Sequence, residues 1–176
     1  GDVITLHLVW LLLMTSSMSQ AHFHPHDHAS CIASALASAE RACDALGLKF
    51  TPVRRRTLEI LVSEHRALGA YDILARLDAS GFGSQPPVAY RALDFLTANG
   101  FAHKIEALNA YVACTHPGAD HSPAFLICRV CGTVEEAEAA PDRGPLARAA
   151  REAGFAIERA VVEAQGLCPA CKDPVT

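Results

Sequence analysis

Apolar residues recur at helical spacing through the first half of the chain and at strand spacing in much of the second. Cys31–Leu46 (CIASALASAERACDAL) is Ala-rich and helical, with Gly47 placed to end it. Thr51-Pro52 supplies an N-cap followed by proline at the first helical position. The spacing then predicts a helix over Pro52–Glu64, with Val53, Leu58, Ile60 and Leu61 on or near one face. A third helix is predicted over Ala70–Ala79, with Tyr71, Leu74 and Leu77 at helical spacing and Ser80-Gly81 closing it. After Gln85-Pro86-Pro87, Val88–Ala98 reads as a fourth helix, ended by Asn99-Gly100. Phe101–Glu106 and Asn109–Cys114 read as two strands joined by a short turn. Helices followed by a two-stranded hairpin make the winged form of a helix-turn-helix domain.

His116–Ser122 (HPGADHS) is polar and reads as a hinge. Beyond it, Ala124–Cys128 and Thr133–Glu138 are predicted strands, Pro145–Ala153 a helix, and Phe155–Glu163 a further strand. A unit of about 55 residues rarely holds itself together without a metal or a partner chain. The expected fold class is therefore α+β. A winged helix-turn-helix domain over 30–114 leads through a hinge at 115–123 to a small α/β dimerisation and metal-binding domain over 124–176.

Residues 1–29 are expected to form a disordered tail. Gly1–Leu13 is apolar but too short to span a bilayer, and it lacks a secretory signal's basic start and cleavage site. It reads as a cloning remnant or translated upstream sequence. The tract His22-Phe23-His24-Pro25-His26-Asp27-His28 reads as part of the tail, with loose metal binding as the alternative.

Composition sharpens this picture. The 176 residues are 51% hydrophobic and 19% charged, which excludes a chain that is disordered throughout. A net charge of −4 argues against a basic nucleic-acid binder until it is divided. Cys31–Lys104 carries nine basic and seven acidic residues, whereas Ile105–Thr176 carries six and ten. The acidic excess thus belongs to the second half.

Seven cysteines, an odd number, with two C-x-x-C pairs suit a metal better than a secreted disulfide framework. They point to a cytoplasmic protein. Cys128-x-x-Cys131 and Cys168-x-x-Cys171 supply four thiolates, enough to close a tetrahedral zinc site that leaves no open position for catalysis. A redox disulfide is the competing use of such pairs. His103, Cys114, His121 and Glu136 remain as a plausible second zinc set, drawn from the wing, the hinge and the second unit. Each also has a plain alternative: a wing histidine can meet phosphate, and Glu136 can simply be solvated. Cys31 and Cys43 read as buried helix cysteines.

Tyr90 and Arg91 lie near the start of the fourth helix, where base edges are read. Arginine can pair with guanine and the tyrosine ring can meet a thymine methyl. Arg54, Arg55 and Arg56 could meet phosphates or form an ordinary solvated face.

Several motifs together resemble the ferric uptake regulator superfamily. They are Thr51-Pro52-x-Arg54, Ala70-Tyr71-Asp72, Pro86-Pro87-x-x-Tyr90-Arg91-Ala92-Leu93-Asp94-Phe95-Leu96, Gly100-Phe101-x-His103-Lys104, Cys128-x-x-Cys131-Gly132 and Glu163-Ala164-x-Gly166-Leu167-Cys168-x-x-Cys171. Tyr111-Val112-x-Cys114 and the Gly166-Leu167-Cys168 ending look most like its zinc uptake regulator branch.

The resemblance implies a bacterial, cytoplasmic, homodimeric repressor of zinc acquisition genes that binds double-stranded operator DNA, without membrane or small-molecule substrate. It implies about two zinc ions per subunit. One is structural at Cys128, Cys131, Cys168 and Cys171, and one regulatory at His103, Cys114, His121 and Glu136. The family usually carries Thr-Val where this chain has Val88-Ala89, which removes a hydroxyl and leaves Ser84 as a substitute cap. Iron, manganese or peroxide sensing is the alternative within the superfamily, although the hinge lacks the His-His-Asp-His run of iron sensors. A zinc hydrolase would need an open coordination position, and no H-E-x-x-H motif is present. Zinc storage by the His-rich tail is a third possibility.

Overall fold

The computed structural model describes residues 28–64, 66–117, 121–140, 143–158 and 160–172. The apolar segment 1–13 and the histidines at 22, 24 and 26 lie outside the described residues. Among the described residues, four helices come first: α1 (His28–Leu46), α2 (Pro52–Val62), α3 (Ala70–Ala79) and α4 (Pro86–Ala98). The wing follows as β1 (Ala102–Ile105), a 3-10 turn (Glu106–Leu108) and β2 (Ala110–Ala113). The second part is β3 (Pro123–Cys128), β4 (Val134–Glu138), α5 (Gly144–Glu152), β5 (Val162–Gly166) and α6 (Pro169–Lys172).

Local chemistry explains most of these boundaries. Gly47, at φ 65°, ends α1 with a left-handed turn that a side chain would strain. Pro52 starts α2, where its missing N–H is no loss. Asp72 accepts from the Gly69 N–H at 3.3 Å and so caps α3. Asn109, at φ 45°, makes the left-handed residue that returns the wing into β2.

The larger core gathers Leu36, Ala39 and Cys43 of α1 with Leu58, Ile60 and Leu61 of α2, Ile73 and Leu77 of α3, and Leu93 and Leu96 of α4. β1 and β2 pair antiparallel with His103 opposite Val112. Leu68 bridges to Tyr111 and adds a short third edge to the wing. The second sheet has the order β4-β3-β5, with β4 antiparallel and β5 parallel to β3. A smaller cluster of Ile105, Phe125 and Ile127, with Ala67, Val112 and Val134 against it, joins the wing to this sheet.

The architecture is the expected α+β combination, with several local corrections. α1 begins at His28, inside the stretch expected to be tail, and α2 ends at Val62 rather than Glu64. α4 begins at Pro86, because two prolines fit the first helical turn where no N–H is needed. Its N-cap is Gln85 without a side-chain bond, so Ser84 does not cap it. Tyr71 is 70% exposed, since α3 packs through Ala70, Ile73, Leu74 and Leu77 instead. The last strand occupies Val162–Gly166 rather than Phe155–Glu163. Pairing with β3 fixes it there, setting Cys128 beside Gly166.

Candidate metal centres

The four-cysteine centre is assembled by the sheet. The Cys128–Gly166 register delivers the end of β5, and hence Cys168, to the end of β3. Gly132, at φ 74°, closes a tight turn through its N–H to the Cys128 carbonyl at 3.0 Å, which brings Cys131 back. Cys171 donates its N–H to the Cys168 carbonyl at 3.0 Å in a matching turn. The four Sγ atoms lie within 4.8 Å of one another, with Cys131 and Cys168 3.6 Å apart, and all four cysteines are free thiols. Zn–S bonds of ~2.3 Å require S···S edges of about 3.8 Å, so the donor set fits a tetrahedral zinc. The Cys131 N–H, with those of Cys168 and Val130, pulls the Cys128 thiol down to about 5. Hydrogen bonding to Cys168 and desolvation push Cys171 up to about 12.

The mixed centre lies between the wing and the second sheet. β1 carries His103, the residue after β2 is Cys114, the hinge brings His121, and β4 carries Glu136. Their ligand atoms also lie within 4.8 Å of one another. His121 Nε2 is 2.8 Å from Glu136 Oε1 and 3.5 Å from Cys114 Sγ. His103 Nε2 stands 3.5 Å from the same carboxylate oxygen, buried and without a hydrogen-bond partner. A buried ring nitrogen close to a thiol, an imidazole and a carboxylate is suited to coordinating a cation. The residues therefore fit a tetrahedral, thiolate-bearing metal such as zinc.

Desolvation pushes the Cys114 thiol up to about 12, and the Glu136 charge adds to it. For Glu136, burial is the largest single influence and acts upward. The close His103 imidazole together with the Thr115 N–H and hydroxyl outweigh it, and its pKa falls to about 2. The site thus holds a carboxylate already ionised and a thiol that must surrender its proton to any cation.

Other residues complete this centre without having been singled out by motif. Thr115 donates its N–H at 2.8 Å and its hydroxyl at 2.9 Å to Glu136 Oε2, which leaves Oε1 facing the cluster. The Phe125 ring packs 5.4 Å from that of His103. Thr115 sits beside Cys114 in sequence, but only the fold places it on Glu136.

The residues proposed to face DNA stand apart from both centres. Tyr90 and Arg91 are exposed on α4. Arg54 stacks over Phe95 of α4, 3.6 Å from the ring centre, and its guanidinium donates to the Lys49 carbonyl. Arg55 pairs with Glu40, and Arg56 with Glu59 at 2.9 Å and Ser80 at 3.0 Å. Each arginine of the run therefore has an internal partner, and Arg54 ties α2 to α4.

Residues 45–165 match the ferric uptake regulator family. The zinc uptake regulation protein of Escherichia coli (strain K12) is 39% identical over 137 residues, spanning 77% of this chain and 80% of that protein. A zinc uptake regulator complexed with zinc and DNA superposes with a TM-score of 0.75 at 38% identity, covering 80% of this chain and 95% of its own. The holo XcZur crystal structure gives 0.69 at 41% identity, covering 79% and 97%.

Proposed function

The chain belongs to the ferric uptake regulator family, and on that footing we propose that it is a zinc-responsive transcriptional repressor of zinc uptake genes. The observation that carries this reading is the mixed centre, whose donors come from both sides of the contact between wing and second sheet. The relatives named for zinc uptake regulation, one solved with zinc and DNA, support zinc as the signal. So does the thiol among the donors, which suits zinc better than iron(II) or manganese(II). The alternative metal and peroxide signals are not favoured.

Cys128, Cys131, Cys168 and Cys171 would hold a structural zinc, and His103, Cys114, His121 and Glu136 a regulatory one. Zinc bound there supplies positive charge that neutralises a thiolate and a carboxylate, together with a tetrahedral preference. The remaining steps belong to the protein. His103 and Cys114 travel with the wing, while His121 and Glu136 travel with hinge and sheet. Drawing the four to one point selects one orientation of α4 relative to the second sheet from those otherwise sampled. In a dimer, that orientation would present two copies of Tyr90 and Arg91 to successive half-sites. The second sheet supports a homodimer: its outer strand β5 has an open edge, and Leu126, Val161, Val162 and Leu167 nearby are exposed. A cytoplasmic location follows from the reading as a DNA-binding regulator. Among the described residues no helix is long and apolar enough to cross a membrane.

A mobility shift on the promoters of zinc uptake genes, with zinc, iron(II) and manganese(II) supplied separately, tests the reading. Retardation with zinc alone is expected. Equal retardation with iron(II) would move the chain to the iron-sensing branch.

A further inference from the structure

The regulatory centre is not the only polar attachment of the winged domain to the second sheet: Arg66, in the segment after α2, also bridges to Thr133. Glu163 of β5 accepts two backbone hydrogen bonds from the turn of the wing, Glu106 N–H to Oε1 at 2.6 Å and Ala107 N–H to Oε2 at 2.8 Å. These are the first N–H groups of the 3-10 turn, which no residue of that turn can satisfy. A carboxylate bridging two such donors makes strong, charge-assisted bonds. Phe125 of β3 lies opposite Glu136 of β4 on one side and beside Glu163 of β5 on the other. Residues paired in this way project from the same face of a sheet. One row across the sheet therefore touches the winged domain three times: Glu136 at the metal centre, Phe125 on the His103 ring, and Glu163 on the turn.

We infer that Glu163 is a positioning residue, a metal-independent strut that fixes the rotation of the wing while the regulatory centre fixes its distance. The metal centre, the Arg66–Thr133 bridge and the Ile105–Phe125–Ile127 cluster hold the winged domain to the sheet. Glu163, two strands from Glu136 at about 10 Å, anchors the turn of the wing and so limits its rotation. Zinc would then complete an orientation that the strut has already limited. The inference rests on the zinc-responsive reading.

The test uses the full chain and its Glu163→Ala and Glu163→Gln variants, with zinc as the only added metal. Hydrogen exchange is read at the Glu106 and Ala107 amides, and operator affinity at saturating zinc. In Glu163→Ala both amides should exchange at least about tenfold faster, while Leu68 and Tyr111, paired to each other, stay protected. Operator affinity should fall about tenfold, with the zinc content unchanged. Glu163→Gln keeps one acceptor oxygen and should fall between. Unchanged exchange at Glu106 and Ala107, or unchanged operator affinity, would overturn the strut. So would parallel loss of Leu68 and Tyr111 protection in both variants, which marks a general structural role. If the unaltered chain bound DNA without regard to zinc, the functional reading would fail, and the exchange measurement would still decide the strut.

Discussion

The two ligand clusters contain four donors each, and in each the donor atoms lie within 4.8 Å of one another, yet they relate to the fold in opposite ways. The four cysteines all come from the second sheet and its adjoining turns, at the ends of β3 and β5. That sheet has little core of its own: α5 buries only Ala147. A metal held by the four cysteines would cross-link its strands and supply stability that this small core does not. The mixed set divides its donors between the wing, which packs on the helical core, and the second sheet, whose Phe125 and Ile127 pack against Ile105 of the wing. Binding there adds little to either part and acts on the relation between them. A metal held within one unit builds it, and a metal held between two units reports and sets their orientation.

The comparison breaks most visibly on replacing one ligand from each cluster. Cys128→Ser should unfold the second sheet, because structural zinc contributes on the order of 10 kcal/mol to such units. Circular dichroism and thermal melting would show the loss. Cys114→Ser should melt like the unaltered chain but lose the zinc dependence of operator binding, a change of about 5–150-fold. If the two variants behaved alike in melting, the distinction between the clusters would be wrong.

The protonation states sharpen it further. Cys114 sits at about 12 and Glu136 at about 2, so loading the mixed centre near neutral pH releases one proton, from the thiol. Between pH 7.5 and 9 its zinc affinity should climb about tenfold per pH unit, which calorimetry in buffers of different ionisation heat would read. The sign for Glu136 is opposite. Its depressed pKa contributes stability that is present above the usual carboxylate value and lost as pH falls toward 2. With zinc confined to the four cysteines, the wing–sheet contact should therefore loosen as pH falls below the usual carboxylate value, followed by exchange at Ile105 and Phe125.

The smallest effect is expected at Thr115. Thr115→Val removes the hydroxyl donated to Glu136 and leaves the N–H, which should weaken zinc at the mixed centre by about tenfold. Zinc held by the four cysteines should be unaffected. Competition with a chromophoric chelator separates the two.

How much of this was legible in the sequence varies with the range of the cause. The bounds of α3 follow from local spacing and from turn residues at its ends, and the winged architecture follows from element order. The start of α4 did not, because Pro86-Pro87 reads as a breaker until one sees that both sit in the first turn. The last strand slipped because FAIERAVVE has a plausible pattern, whereas the register is set at a distance by Cys128 beside Gly166. The cysteine cluster is written in two short motifs. The mixed cluster is scattered over 34 positions: its donor types mark a plausible zinc set, and the family resemblance rather than spacing gives that set a regulatory role. Thr115 and Glu163 act through hydrogen bonds to residues far along the chain, and nothing local marks them. Glu163 does stand within the matched motif ahead of Cys168, which was a signal without a role.

The most direct measurement of the central claim is operator affinity against bound zinc per chain, raised stepwise from chelated protein. The expected curve has two stages: the first zinc stabilises the fold and leaves DNA affinity low, and the second raises it about 5–150-fold. A DNA affinity that reached its maximum with the first zinc, while Cys114→Ser followed the same curve, would contradict it.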